Sequence, residues 1–261
     1  MLFALVMSAV LAPWISPYDP TVPHVEAAFE GPSSAFWLGG DQVGRDILSR
    51  LLWGGRISLF VGLASVAIGI TLGSLLGVIS AYVGGKFDLI AQRVVDALLA
   101  FPSIILALSL ISVLGSSVFN IILALVVIFI PGATRTVRSQ ALAIKEMDYV
   151  LAARAIGARQ VRIILLYIVP NCFAIFLILA TVSVGLAIVV ESSLSFLGLG
   201  VPPDVPTWGK MLADAGRTDI QSTPWQSIFP GLAISFTVFA VNFLGDAMRD
   251  VLDPRLRGTQ G

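Results

Sequence analysis

Four stretches of this chain run without a single Asp, Glu, Lys or Arg: Ile57 to Gly85, Ala97 to Thr134, Ile163 to Val190 and Ile220 to Gly245. A helix that crosses a bilayer needs about 20 mostly apolar residues, and it must satisfy its own backbone hydrogen bonds because lipid offers none. Only a bilayer can solvate that much apolar chain: 57% of the residues are hydrophobic and 12% charged, against roughly a quarter charged in an ordinary soluble domain. The expected fold is all-α, a polytopic membrane helix bundle.

The second stretch is long enough for two helices, with Gly115-Ser116-Ser117 as the turn between them. Five full spans are expected, at about 57–82, 89–113, 117–134, 170–195 and 225–247. Met1 to Ala12 adds a truncated first helix that Pro13 cuts short, giving about six spans. It has no basic start and no small-residue cleavage site, so it does not read as a signal peptide, and its cytoplasmic start is expected to lie upstream of Met1.

Lys and Arg accumulate in cytoplasmic loops. Eleven of the 16 fall within 86–93, 135–162 and 249–257, while Arg45, Arg50, Arg56, Lys210 and Arg217 fall elsewhere. Six spans with both termini cytoplasmic put the two groups on opposite sides. The chain then divides into a partial helix and external segment (1–56), a transmembrane domain (57–247) with a cytoplasmic loop at 135–170 and an external loop at 198–224, and a cytoplasmic tail (248–261).

Composition also excludes several functions. A net charge of +0 creates no field that would attract nucleic acid. Cys172 is the only cysteine and His24 the only histidine, too few for a disulfide or a metal cage, so no metal and no cofactor is expected. No Gly-x-x-x-x-Gly-Lys-Ser/Thr loop is present, so the chain cannot hydrolyse ATP in the way such loops do. An intramembrane enzyme, the alternative from another class, would need paired acids, or Ser with His or Lys, at matching depth in the spans, and none is apparent.

Ser65, Gly69, Gly73, Gly77 and Ala81 recur every four residues, a stripe along which another helix can approach closely. Pro102 and Pro131 are expected to kink their spans. Asp41, Arg45 and Asp46 read as a charged outer loop that caps and positions the next helix, and Arg93 with Asp96 as a local ion pair. Glu191 is the only acid within a long apolar span; it is a candidate to line a translocation path or to meet a second subunit, with interfacial water as the alternative.

Between the fourth and fifth spans, Tyr149-Val150-Leu151-Ala152-Ala153-Arg154-Ala155-Ile156-Gly157 offers a slim helix with a glycine stop, around which another protein's groove could close. Ala152-Ala153, three residues, Gly157, and then Pro170 resembles the Glu-Ala-Ala-x-x-x-Gly loop of ATP-binding-cassette importer permeases, with Leu151 in place of the usual acid. Leu38-Gly39-Gly40-Asp41-Gln42-Val43-Gly44-Arg45-Asp46, with Gly40 where Thr is usual, resembles the C-type permease of oligopeptide and dipeptide importers. So do the run from Glu191 to Gly200, followed by Pro202-Pro203 and Thr207-Trp208-Gly209, and the tail from Asn242 to Arg257.

This resemblance implies a permease forming half of a translocation path for short peptides, or for nickel or another small solute. It implies, as partners, a second permease subunit, two ATPase subunits and an external substrate-binding protein, assembled in the lipid of a bacterial inner membrane. Tyr149, Leu151, Ala152, Ala153, Arg154, Ala155 and Gly157 would form the helix that couples the path to the ATPases.

Overall fold

The computed structural model describes residues 2–202, 204–217 and 222–252. Two short helices, α1 (Leu2–Val10) and α2 (Ala12–Ile15), lead into an irregular segment whose only helical piece is a 3-10 turn at Val25–Ala27. Then come α3 (Ile47–Val83), α4 (Gly85–Leu99), α5 (Ser103–Leu114), α6 (Val118–Lys145), α7 (Asp148–Ala155) and α8 (Gln160–Ile163). The last runs through a π-helical turn into α9 (Val169–Phe196), followed by α10 (Trp208–Ala215) and α11 (Trp225–Leu252). The part of the expected tail from 253 onward lies outside the described residues.

Among the described residues four helices are long and apolar enough to cross a membrane: Ile47–Val83, Val118–Lys145, Gln160–Phe196 and Trp225–Met248. The span expected at 89–113 is instead a bent pair, α4 and α5, turned by 90°. The break falls at Ala100-Phe101-Pro102, where proline lacks the amide proton that would continue the ladder and pushes the residue before it out of helical geometry. Pro131 does not interrupt α6. Pro13 does not end the helical path either, but sits in the first turn of α2, a position where its missing donor costs nothing.

The first spanning helix begins ten residues earlier than its charge-free run, because Asp46 caps it. The Asp46 carboxylate accepts from the Ser49 amide at 2.8 Å and the Ser49 hydroxyl at 2.6 Å. The small-residue stripe packs α3 against α6. A Cβ on Gly73 would meet the Ile130 carbonyl oxygen at 2.6 Å, and one on Gly77 the Thr134 carbonyl oxygen at 2.6 Å. Residues 135–145 continue α6 beyond the expected end of its span at 134.

Candidate functional site

The basic segment after the second charge-free stretch forms a compact helical elbow. Lys145, in the last turn of α6, donates to the Ala81 and Tyr82 carbonyl oxygens, each at 3.1 Å. These are among the last carbonyls of α3, left without helical partners, so the ammonium satisfies them and the negative end of the helix dipole together. Arg154 and Lys145 both lie over the Tyr82 ring, at 6.0 and 5.8 Å from its centre.

On this base α7 is held by two side chains. Val150 and Ala153 are buried, Val150 in a cluster with Val137, Ala141, Ile144 and Ile163. Tyr149, Leu151, Ala152, Arg154, Ala155 and Gly157 are exposed, and Ile156 is 85% exposed. Tyr149 also approaches Tyr167, with ring centres 6.2 Å apart.

The helix ends in a Schellman motif: the Gly157 amide donates to the Arg154 carbonyl at 3.0 Å and the Ala158 amide to the Ala153 carbonyl at 3.1 Å. Gly157 takes φ +81°, and a Cβ there would meet nothing within 4 Å. Of the seven residues expected to form the coupling surface, six lie on the exposed side. Ala153 does not: it is part of the anchor. Ile156, absent from that expectation, is the most exposed large apolar side chain of the elbow.

At the opposite end, segments far apart in sequence meet. Arg45 and Arg50 both reach Asp41, at 2.7 and 3.1 Å, and Lys210 pairs with Asp214 at 2.7 Å. Arg50, itself buried, bridges toward Asp214 at 3.8 Å. The Gly40 carbonyl accepts from Trp225 Nε1 and Gln226 Nε2 at 3.3 and 3.2 Å. Gly40 stands where a Cβ would meet the Ala27 carbonyl oxygen at 1.7 Å, so this chain has no room there for a threonine.

Glu191 lies beneath this cap and is 0% exposed. Its carboxylate accepts from Ser195 at 3.0 Å and Ser58 at 3.4 Å, with the Thr207 hydroxyl as a third partner. Ser58 in turn accepts the Trp208 amide at 3.3 Å. The expectation that Glu191 faces a path or a second subunit does not match this placement: in this conformation the carboxylate is enclosed by hydroxyls of its own chain. It ties α3, α9 and the start of α10 together. The sequence shows the acid but not its partners, since Ser58 is 133 residues away.

Asp96 is shared. It is 3.9 Å from Arg93 and bonded more closely to Arg135 of α6. Asp88 accepts two bonds from Arg138, at 2.6 and 2.5 Å. The local pair expected at 93 and 96 is thus the weaker half of a clamp between α4 and α6.

The pattern of the family described as binding-protein-dependent transport system inner membrane component matches residues 37–258. A putative peptide transport system permease protein of Brucella suis biovar 1 is 42% identical over 98% of this chain and 86% of its own length. A glutathione transport system permease protein of Pectobacterium atrosepticum is also 42% identical, over 98% and 86%. A dipeptide transport system permease protein of Alkalihalophilus pseudofirmus is 38% identical over 97% and 83%. The fold is similar to a chain of the MetNI methionine ABC transporter in an inward-facing conformation, with a TM-score of 0.65, 18% identity, and coverage of 78% of this chain and 96% of that one.

Proposed function

The chain belongs to the binding-protein-dependent transport system inner membrane component family, a multi-pass bacterial inner-membrane permease, and from that premise we propose how it works and what it carries. It forms half of a translocation path for short peptides, with a second permease completing the path. An external binding protein delivers the cargo, and two ATPase subunits supply the energy. Both termini are cytoplasmic. The names of the relatives, which include peptide, dipeptide and glutathione systems, support this cargo class over nickel or another small solute.

The observation that carries the coupling reading is the division of α7 into two faces. Val150 and Ala153 hold it to the bundle, while Leu151, Ala152, Ala155 and Ile156 project as a slim apolar edge. An ATPase cleft can close over alanines without displacing a side chain. An Asp at either exposed alanine would have to lose its water on docking, and a desolvated unpaired charge costs several kcal/mol.

Ala152→Asp and Ala155→Asp are therefore expected to leave the permease pair folded, to lose the ATPases during co-purification and to abolish uptake of labelled peptide. Ala153→Asp acts by another route, undermining the anchor and lowering permease yield. Wild-type ATPase recovery and uptake in both exposed-face variants would show that α7 is not the coupling element.

A further inference from the structure

Helix α4 has an outward face that neither the bundle nor the coupling elbow accounts for. Of its 15 residues only Val95 is fully buried. Phe87, Ile90 and Val94, spaced three and four apart, form an exposed apolar stripe that Phe101 continues. Lys86 and Arg93 lie along one edge of it, Arg93 with 77% of its side chain exposed.

The charges of this helix are sorted. Both acids, Asp88 and Asp96, bond to Arg138 and Arg135 of α6. Among the described residues neither base has such a fixed partner across the bundle; Arg93 has the 3.9 Å approach to Asp96. What α4 offers outward is therefore apolar and positive, although its four charged residues sum to zero.

Its depth follows from the same clamp. At 1.5 Å of rise per residue, Arg135 and Arg138 stand about 26 and 30 Å along α6 from its outer start at Val118, which is the thickness of a bilayer's hydrocarbon core, about 30 Å. The clamp thus fixes α4 at the far boundary, and because its two acids stand about 12 Å apart along α4 but meet arginines only about 4.5 Å apart along α6, α4 crosses α6 obliquely instead of running beside it.

We propose that α4 is an interfacial anchor lying along the cytoplasmic leaflet, with Phe87, Ile90 and Val94 among the acyl chains and Lys86 and Arg93 on anionic phospholipid headgroups. Stripe, charge and depth match a helix that rests in the headgroup boundary. The side of the membrane rests on the topology proposed above, whereas the lipid contact does not depend on α7.

The test uses the assembled transporter in a Cys172→Ala background, with a nitroxide on Ile90→Cys or Val94→Cys, in vesicles of phosphatidylcholine alone or mixed with phosphatidylglycerol. Collisions with oxygen are expected to exceed those with a water-soluble nickel chelate several-fold at both sites. Label mobility should fall when phosphatidylglycerol is present, and Lys86→Gln with Arg93→Gln should abolish that fall. A site shielded from both reagents would mean that a helix of another subunit covers the stripe, and preferential nickel contact would mean water; either overturns the proposal. Equal mobility in the two vesicles would overturn the headgroup assignment. ATPase co-purification is read in parallel, so a failure of α7 as coupling helix remains distinguishable from a failure of α4 as anchor.

Discussion

Two glycines at opposite ends of the molecule adopt nearly the same backbone, Gly44 at φ +85° and Gly157 at φ +81°, yet their surroundings differ completely. A Cβ on Gly44 would sit 1.9 Å from the His24 carbonyl oxygen, whereas one on Gly157 would meet nothing within 4 Å. The difference holds for the regions around them. In the cap around Gly44, Asp41, Arg50, Glu191, Thr207 and Gln226 are all buried, and Asp41, Arg50 and Glu191 are bonded to other side chains of the cap and of α3 and α9. At the opposite end Ala152 and Ala155 of α7, and Ile156 just after it, are exposed. The motifs of the cap complete this chain's own fold, whereas the proposed coupling motif leaves its exposed face unused by the chain itself.

The sharpest way to break this contrast is at Gly44. Gly44→Val combines left-handed strain with a collision against backbone that cannot rotate away, and it should cost about 3 kcal/mol or more. Loss of detergent-stable permease, measured as the yield of monodisperse complex, is the expected outcome. Wild-type yield would show that the segment around His24 is free to move aside and that the cap is not the rigid unit described.

Glu191 comes next in expected size. Replacing it with Leu removes the shared acceptor of Ser58, Ser195 and Thr207, and leaving buried hydroxyls unpaired costs roughly 1–3 kcal/mol. Glu191→Gln keeps one acceptor oxygen and should cost about 1 kcal/mol. Thermal unfolding of the purified complex should rank wild type above Gln and Gln above Leu, with uptake declining in the same order. An abolished uptake at unchanged melting temperature in Glu191→Gln would instead place the acid on the translocation path and end its reading as a structural tie.

How much of this could be read from sequence depended on contrast. Charge-free runs exposed the spans because one Lys or Arg ends them, and Asp46 before an apolar helix announced its cap. The stripe through Gly69, Gly73 and Gly77 was visible by its spacing, though not its partner α6. The kink at Pro102 was legible, but not its size of 90°, because apolar residues lie on both sides and nothing in the sequence separates a bent span from a broken one. Which way α7 faces was hidden too: with Ala152, Ala153 and Ala155 adjacent, an eight-residue helix has no apolar and polar sides to compare. Glu191 was visible as an anomaly, but its hydroxyl partners arrive from α3 and from the residue before α10, and only the folded chain brings them together.

Gly157 gives the smallest expected effect on folding and the finest test of the contrast. Since open space surrounds it, only the left-handed backbone opposes a side chain, which costs an ordinary residue about 1–2 kcal/mol and asparagine less. Gly157→Asn should therefore retain the Schellman bonds from Gly157 to Arg154 and from Ala158 to Ala153, along with near-normal uptake. Gly157→Val resists positive φ more strongly, because its branched Cβ crowds the backbone, so the end of α7 should unwind and re-aim Ile156. Permease yield and ATPase co-purification should stay measurable in both variants, while uptake falls clearly only in Gly157→Val. If Asn and Val reduce uptake equally, the contact at Gly157 is steric and a docked subunit fills the space that is open in the isolated chain.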